Sequence, residues 1–197
     1  MAILYKTEIG KVQLFIWENE AGVQQFQDIK GVNLLDLKEF QSIKHAQRQH
    51  TFLNSRALIY SLFKPSEIRK NSHGAFAPTP KGHHLSLSHT HDYSVLAVST
   101  NPVGVDIETQ RPEIAKIWHK FAHHQEQKFN ADWERLLLWT CKEALFKREE
   151  KDLNFKEEIC VESYTGSGKG IIEGKVKDKP FVGHFIQVKD HLLTVCS

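Results

Sequence analysis

The chain is poor in the residues that staple or break a fold. Of its 197 residues only three are cysteine: Cys141, Cys160 and Cys196. Their odd number and wide spacing exclude a disulfide framework and a CxxC redox motif. Six prolines and 11 glycines are too few for collagen or a low-complexity linker. Long apolar runs are missing, since the best stretches, Leu136 to Trp139 and Val95 to Val98, fall far short of a bilayer span. The opening residues, Met1-Ala2-Ile3-Leu4-Tyr5-Lys6-Thr7-Glu8, lack a basic start followed by an apolar core, so no secretory leader is expected. Neither sign of charge dominates: 26 Lys plus Arg against 24 Asp plus Glu give a net charge of +2. That balance excludes a purely electrostatic nucleic-acid binder and suits an anionic ligand or an acidic partner. What is present, 40% hydrophobic and 25% charged residues, describes an ordinary globule, expected in the cytoplasm and without a membrane segment. The exception is twelve histidines, which raise the question of a metal.

Periodicity along the chain implies an α+β fold. Val12, Leu14 and Ile16 alternate with Gln13 and Phe15, which predicts a strand. From about Ser42 to Leu62, apolar residues recur at intervals of three and four, predicting one helix closed by Pro65, with Lys44, Arg48 and Arg56 on its polar side. A loop rich in breakers, Asn71 to Gly82, follows. Three short strands come next: around Leu85 and Leu87, at Ser94 to Ser99, and at Val103 to Glu108. The turn residues Thr100-Asn101-Pro102 predict that the last two form an antiparallel hairpin. Helices are expected at about Glu113 to Lys128 and Asp132 to Glu150. Strands then follow at Ile159 to Tyr164, Gly170 to Lys177, Phe181 to Val188 and Leu192 to Cys196. The order divides the chain into two roughly equal halves meeting near residue 100, a lobe over 1–100 and another over 101–197.

Three segments carry candidate chemistry. In Val103-Gly104-Val105-Asp106-Ile107-Glu108, alternation sends Val103, Val105 and Ile107 to a core and Gly104, Asp106 and Glu108 to the other face. Two carboxylates about 6.5–7 Å apart can then converge on one hard cation, with Gly104 leaving room for an approach to the backbone. The bland reading is a polar strand face. The second segment is Trp139-Thr140-Cys141-Lys142-Glu143-Ala144-Leu145-Phe146-Lys147, on a helix apolar nearly all round. Glu143 sits on an apolar wall, where a carboxylate must be paired, protonated or bound to metal. An i,i+4 pair with Lys147 is the simple alternative. The third segment, Ser86-Leu87-Ser88-His89-Thr90, is either a polar strand end or a phosphate contact through hydroxyl and imidazolium.

SxSH, VGVDIE and WTCKEALFK in this order resemble the 4′-phosphopantetheinyl transferase superfamily, in particular the two-lobed type named for activating surfactin synthetase. Its signatures (V/I)G(V/I)D(I/V)E and WxxKEAxxK stand here as Val103–Glu108 and Trp139–Lys147. The resemblance implies two similar-sized α/β lobes, a pseudo-dimer in which each small antiparallel sheet packs on a long helix, with the active site at the seam. It implies transfer of the phosphopantetheine arm of coenzyme A to a serine of an apo carrier protein, an acidic helical domain, releasing adenosine 3′,5′-bisphosphate. Such chemistry serves fatty acid, polyketide or nonribosomal peptide biosynthesis. Carried over by position, Asp106, Glu108 and Glu143 hold Mg²⁺ or Mn²⁺, and Lys147 and Lys142 contact coenzyme A phosphates. Ser88 and His89 lie at the pyrophosphate and 3′-phosphate. Arg48 or Arg56 supplies a nucleotide contact. Catalytic roles fall to Glu143, Lys147 and Glu126, the last as a base for the incoming serine; a solvated helical glutamate is its bland alternative. One departure stands out. The loop that carries Gly-Lys-Pro in relatives reads His73-Gly74-Ala75-Phe76-Ala77-Pro78, leaving Lys70 or Lys81 to compensate. A chain of this length resembles the monomeric branch of the family.

Three rivals stand beside that reading. His119 and His123, i,i+4 on the expected helix, and His83, His84, His89 and His91 allow a zinc site, although no HExxH occurs and no cysteine is near. Gly166-Ser167-Gly168-Lys169-Gly170 lacks the spacing of a P-loop and reads as a hairpin turn. The third rival is a non-catalytic homologue that binds coenzyme A or a carrier protein, suggested by the altered Gly-Lys-Pro loop and opposed by retention of all three carboxylates.

Overall fold

Alternating strands and two long helices build an α+β chain whose two units, Met1–Thr100 and Asn101–Ser197, each gather most contacts within themselves. The computed structural model describes residues 4–19, 29, 32, 34–71, 75–150 and 152–197. Of the residues read above, the opening Met1 to Ile3 and the loop residues Ser72, His73 and Gly74 lie outside that set. No helix among the described residues is long and apolar enough to cross a membrane.

In the first unit, β1 (Leu4–Ile9) and β2 (Val12–Glu18) form a hairpin turned at Gly10, whose φ of +58° favours glycine. They join β4 (Tyr93–Ser99) and β3 (His84–His89) in an antiparallel sheet of order β1-β2-β4-β3. Helix α2 (Ala46–Leu62) packs against it. Leu58 and Ile59 meet Phe15, Phe76, Leu85, Leu96 and Val98 in one apolar cluster. The helix expected from Ser42 is two helices. A separate α1 (Leu34–Ser42) precedes a break at 43–45, where Gln49 Nε2 donates to the carbonyl of Ile43. Leu34, Leu37 and Phe40 recur every three residues along α1, yet its buried residue is an acid, Asp36, while Leu34 and Leu35 are exposed.

In the second unit, β5 (Gly104–Thr109), β9 (His191–Cys196), β8 (Lys179–Val188), β7 (Lys169–Val176) and β6 (Ile159–Ser167) lie in that order in an antiparallel sheet. The expected hairpin of Ser94–Ser99 with Val103–Glu108 is therefore wrong. Strand β4 lies between β2 and β3 in the first sheet, whereas β5 pairs with β9, Asp106 opposite Thr194. The Thr100-Asn101-Pro102 turn marks the passage between units instead. A local turn signal says where a strand ends, not which distant strand it joins.

Helix α4 (Asp132–Glu149) lies on β5 and β9, and Leu137, Leu138, Cys141, Ala144 and Leu145 are fully buried with Ile159, Val161 and Ile172. A Cβ at Gly104 would stand 1.8 Å from the carbonyl oxygen of Ala144. The room that glycine leaves is thus filled by the backbone of α4, not by a ligand. The expected helix over 113–128 also divides. Helix α3 (Pro112–Phe121) ends before a 3₁₀ turn at His124–Lys128. The side chain of Glu126 folds inward there and accepts from His123 N at 2.7 Å.

Candidate active site

Packing α4 across β5 brings the two signature segments together. Lys147 Nζ, at the end of α4, donates to Asp106 Oδ1 at 2.8 Å and to the carbonyl of Val105 at 3.0 Å. Asp106 is only 5% exposed. Glu108 Oε1 accepts from Arg111 Nη2 at 2.6 Å and from Trp139 Nε1 at 3.4 Å. Lys147 thus crosses to β5 and is held by Asp106, rather than forming the simple i,i+4 pair with Glu143.

Electrostatics tie the three carboxylates into one group. Burial, and next the Asp106 charge, push the Glu143 carboxyl up to about 7, opposed by Lys147 and reinforced by Glu108. Burial and then Asp106 likewise raise Glu108, with Arg111 and Lys147 opposing. Carboxylates that hinder one another's ionisation are a favourable field for a hard divalent cation. The donor set of Asp106, Glu108 and Glu143 therefore fits Mg²⁺ in chemistry. It is not a closed cage, for no three His, Cys, Asp or Glu side chains among the described residues stand in metal-binding geometry. Binding a cation would require the Lys147 and Arg111 partners to yield.

Two residues given chemical roles by the sequence are enclosed in the core. Lys142 is fully buried, its Nζ donating to the carbonyls of Phe121, Phe155 and Ile159 at 2.9, 2.8 and 2.8 Å. Its fourth neighbour is Glu126 Oε2, also at 2.8 Å. Burial lowers the Lys142 ammonium from its ordinary value, and the Glu126 charge holds it up. Lys142 is therefore not placed to contact coenzyme A phosphates. Glu126, 0% exposed, also accepts from Val161 N at 2.7 Å. It is neither a solvated helical glutamate nor, in this structure, a base within reach of a substrate. The sequence held a signal for the first of these: Lys142 lies four residues after Leu138 and three before Leu145, on an apolar stripe.

The remaining basic candidates gather in the first unit. Arg48 and Arg56 of α2, Lys70 and His89 line one cavity of about 520 Å³, together with Glu39 and Phe52. Arg56 is buried, its Nε 2.7 Å from Asp36 Oδ1 and its Nη2 3.1 Å from Glu39 Oε2, with the guanidinium 4.3 Å over the Phe52 ring. Tyr60 OH donates to the other Asp36 oxygen. Arg48 is exposed. Lys70 is bridged to Phe76 through the backbone, and its Nζ reaches both Glu39 oxygens at 2.9 Å. Lys81 does not line the cavity. Ser88 is corrected too: strand alternation turns it away from its neighbour His89, and it is buried outside the lining. Sequence reasoning missed Asp36 and Glu39, which orient the cations, although Leu34, Leu37 and Phe40 recur every three residues along α1.

The second unit is where a comparison with known families succeeds. Residues 102–196 match the family model of the 4′-phosphopantetheinyl transferase superfamily. The match contains both signature segments and supports phosphopantetheinyl transfer in general for this transferase-like unit. No curated protein matches the chain. The histidine rival weakens, since His119 lies in α3 and His123 beyond its end, not one turn apart on a helix. Gly166-Ser167-Gly168-Lys169 is the β6–β7 turn, with positive φ at both glycines.

Proposed function

We propose that the chain is a phosphopantetheinyl transferase of the two-lobed, surfactin-synthetase-activating type, acting as a cytoplasmic monomer. Its substrates are coenzyme A and an apo carrier protein. The observation that carries this reading is the packing of α4 on β5, which sets Lys147 Nζ 2.8 Å from Asp106 Oδ1 inside the segment that matches the superfamily.

Asp106, Glu108 and Glu143 would hold Mg²⁺, which supplies charge neutralisation at pyrophosphate oxygens when bound. Lys147, held by Asp106, is a cation positioned beside those carboxylates and suited to a phosphate oxygen. In the reaction the carrier serine Oγ bonds to the phosphorus bearing the pantetheine. The P–O bond to adenosine 3′,5′-bisphosphate breaks, and the hydroxyl proton leaves through water, since Glu126 is enclosed. The cavity of the first unit suits the phosphates of the nucleotide end. Arg48 and His89 face it as donors, Arg56 is fixed by Asp36, and Lys70 takes the place of the absent Gly-Lys-Pro lysine.

The test is an intact-mass assay of a panel of acyl, peptidyl and aryl apo carrier proteins with coenzyme A and Mg²⁺. A gain of one phosphopantetheine arm on the carrier is expected. No gain on any carrier would sink the reading, and coenzyme A binding without transfer would favour the non-catalytic homologue.

A further inference from the structure

A second cavity, in the transferase-like unit, contains none of the residues assigned above. It measures about 770 Å³ and opens between the first turns of α4, the β6–β7 turn and the turn joining β8 to β9. That volume is within the range that encloses a drug-sized molecule. Its inner wall is apolar and buried: Leu136 is 4%, Phe185 2% and Leu192 8% exposed. Above that wall stand two aromatic rings, Trp133 and Tyr164, edge to face with centroids 5.0 Å apart. Tyr164 is held in place by its hydroxyl, which donates to Glu134 Oε1 at 2.7 Å. Trp133 remains 46% exposed, a large apolar surface that its own fold does not cover.

The titratable groups of the lining are two carboxylates and the imidazole of His191, which is buried. Although the chain has 26 lysines and arginines, none lines this cavity, whereas Asp132 and Asp190 both do. Asp132 lies 3.5 Å from Arg135 Nη1 on its own helix, which takes up part of its charge. Asp190 is exposed at the β8–β9 turn and is the carboxylate most open to a ligand. The rim also carries the side-chain amides of Gln110 and Gln187. Aromatic faces, an apolar floor and an exposed carboxylate, with no lysine or arginine in the lining, select one chemistry: a cation attached to an apolar body.

We infer that this cavity binds a small organic cation, an amine bearing an aromatic or branched aliphatic group. The apolar group packs on Leu136 and Phe185, the ammonium lies near Asp190, and Trp133 and Tyr164 supply ring faces. The site is separate from Asp106, Glu108 and Glu143 in its lining and does not rest on the transfer reading, so failure of either leaves the other standing.

The probe pair is 2-phenylethylammonium and 3-phenylpropionate, similar in shape and opposite in charge, titrated calorimetrically into the full chain. Saturable binding of the cation is expected, about tenfold tighter than that of the anion. Asp190→Asn should weaken the cation about fivefold with the melting temperature unchanged, and Trp133→Leu about tenfold with a melting temperature lowered by about 3 °C through loss of the Tyr164 ring contact. In amide NMR spectra the cation should shift Gly166 and Gly168 at the cavity edge. Equal affinity for the anion, or no saturable binding at millimolar probe, would overturn the inference. So would cation binding that survives Trp133→Leu but is lost in Glu143→Gln, because the cation would then occupy the carboxylate group instead.

Discussion

Each unit buries a cation from its long helix against a carboxylate from elsewhere in the chain, and the two pairs are put to opposite use. Arg56 meets Asp36 and Glu39 yet still lines a cavity, its flat guanidinium stacked on Phe52. Lys142 meets Glu126 and three backbone carbonyls, and both side chains are 0% exposed. The difference follows from the donors. A guanidinium has five N–H groups in a fixed fork and can keep some directed outward, while an ammonium has three and is saturated by the core. The first pair fixes a guanidinium in the wall of a cavity. The second ties α4 to the 3₁₀ turn, to the segment before β6 and to β6 itself, and so sets where Glu143 and Lys147 stand.

Breaking the enclosed pair should have the largest effect. Lys142→Ala leaves Glu126 charged and without its ion partner, and about 3–5 kcal/mol of stability should be lost in a urea or thermal melt. A near-neutral melt with lost transfer would restore Lys142 to a catalytic role. Glu143→Gln should do the reverse. Transfer should fall by at least about a hundredfold, while stability above neutral pH rises by about 2 kcal/mol, because a carboxylate destabilised by its neighbours has been removed. The pH dependence has a definite sign. With Glu143 raised from 4.5 to about 7, the folded chain binds more protons than the unfolded chain between those values. Stability therefore declines as pH rises through that window and levels off above it. Melts of the native chain against Glu143→Gln should isolate that slope. Added Mg²⁺ should raise the melting temperature more above about pH 7 than near pH 5, since proton and cation compete for Glu143.

The first unit sharpens the contrast with smaller effects. Arg56→Ala removes the buried ion pair with Asp36, leaving its Tyr60 hydrogen bond, and should cost about 2–3 kcal/mol as well as coenzyme A affinity. Arg48→Ala, at an exposed position, should weaken coenzyme A about tenfold and leave the melting temperature unchanged. Lys70→Ala should show the smallest change, about threefold in affinity, because Glu39 already shares its charge. A loss at Lys70 equal to that at Arg48 would show that Glu39 moves aside when the ligand binds.

Much of the chain was legible from its letters, and the exceptions share a cause. Strands β2, β3 and β5 to β9 and helix α4 follow from alternation and helical spacing, which depend on neighbours within a few residues. The pairing of β5 did not follow, since β9 is almost ninety residues away and nothing in Thr100-Asn101-Pro102 points to it. Along helix α1, Leu34, Leu37 and Phe40 recur every three residues, yet its buried residue is the acid Asp36, which that spacing does not announce. In the site, Asp106, Glu108, Glu143 and Lys147 were readable as a group from their signatures. The enclosure of Glu126 and Lys142 was not, because each is explained only by the other.

The sequence by itself determined the residue types that can bind a hard cation and phosphate, and the local elements that carry them. Tertiary structure alone decided which charges face a ligand and which are sealed. A side chain's exposure depends on backbone from distant segments crossing it, as Phe121, Phe155 and Ile159 cross Lys142, and no local pattern encodes that crossing.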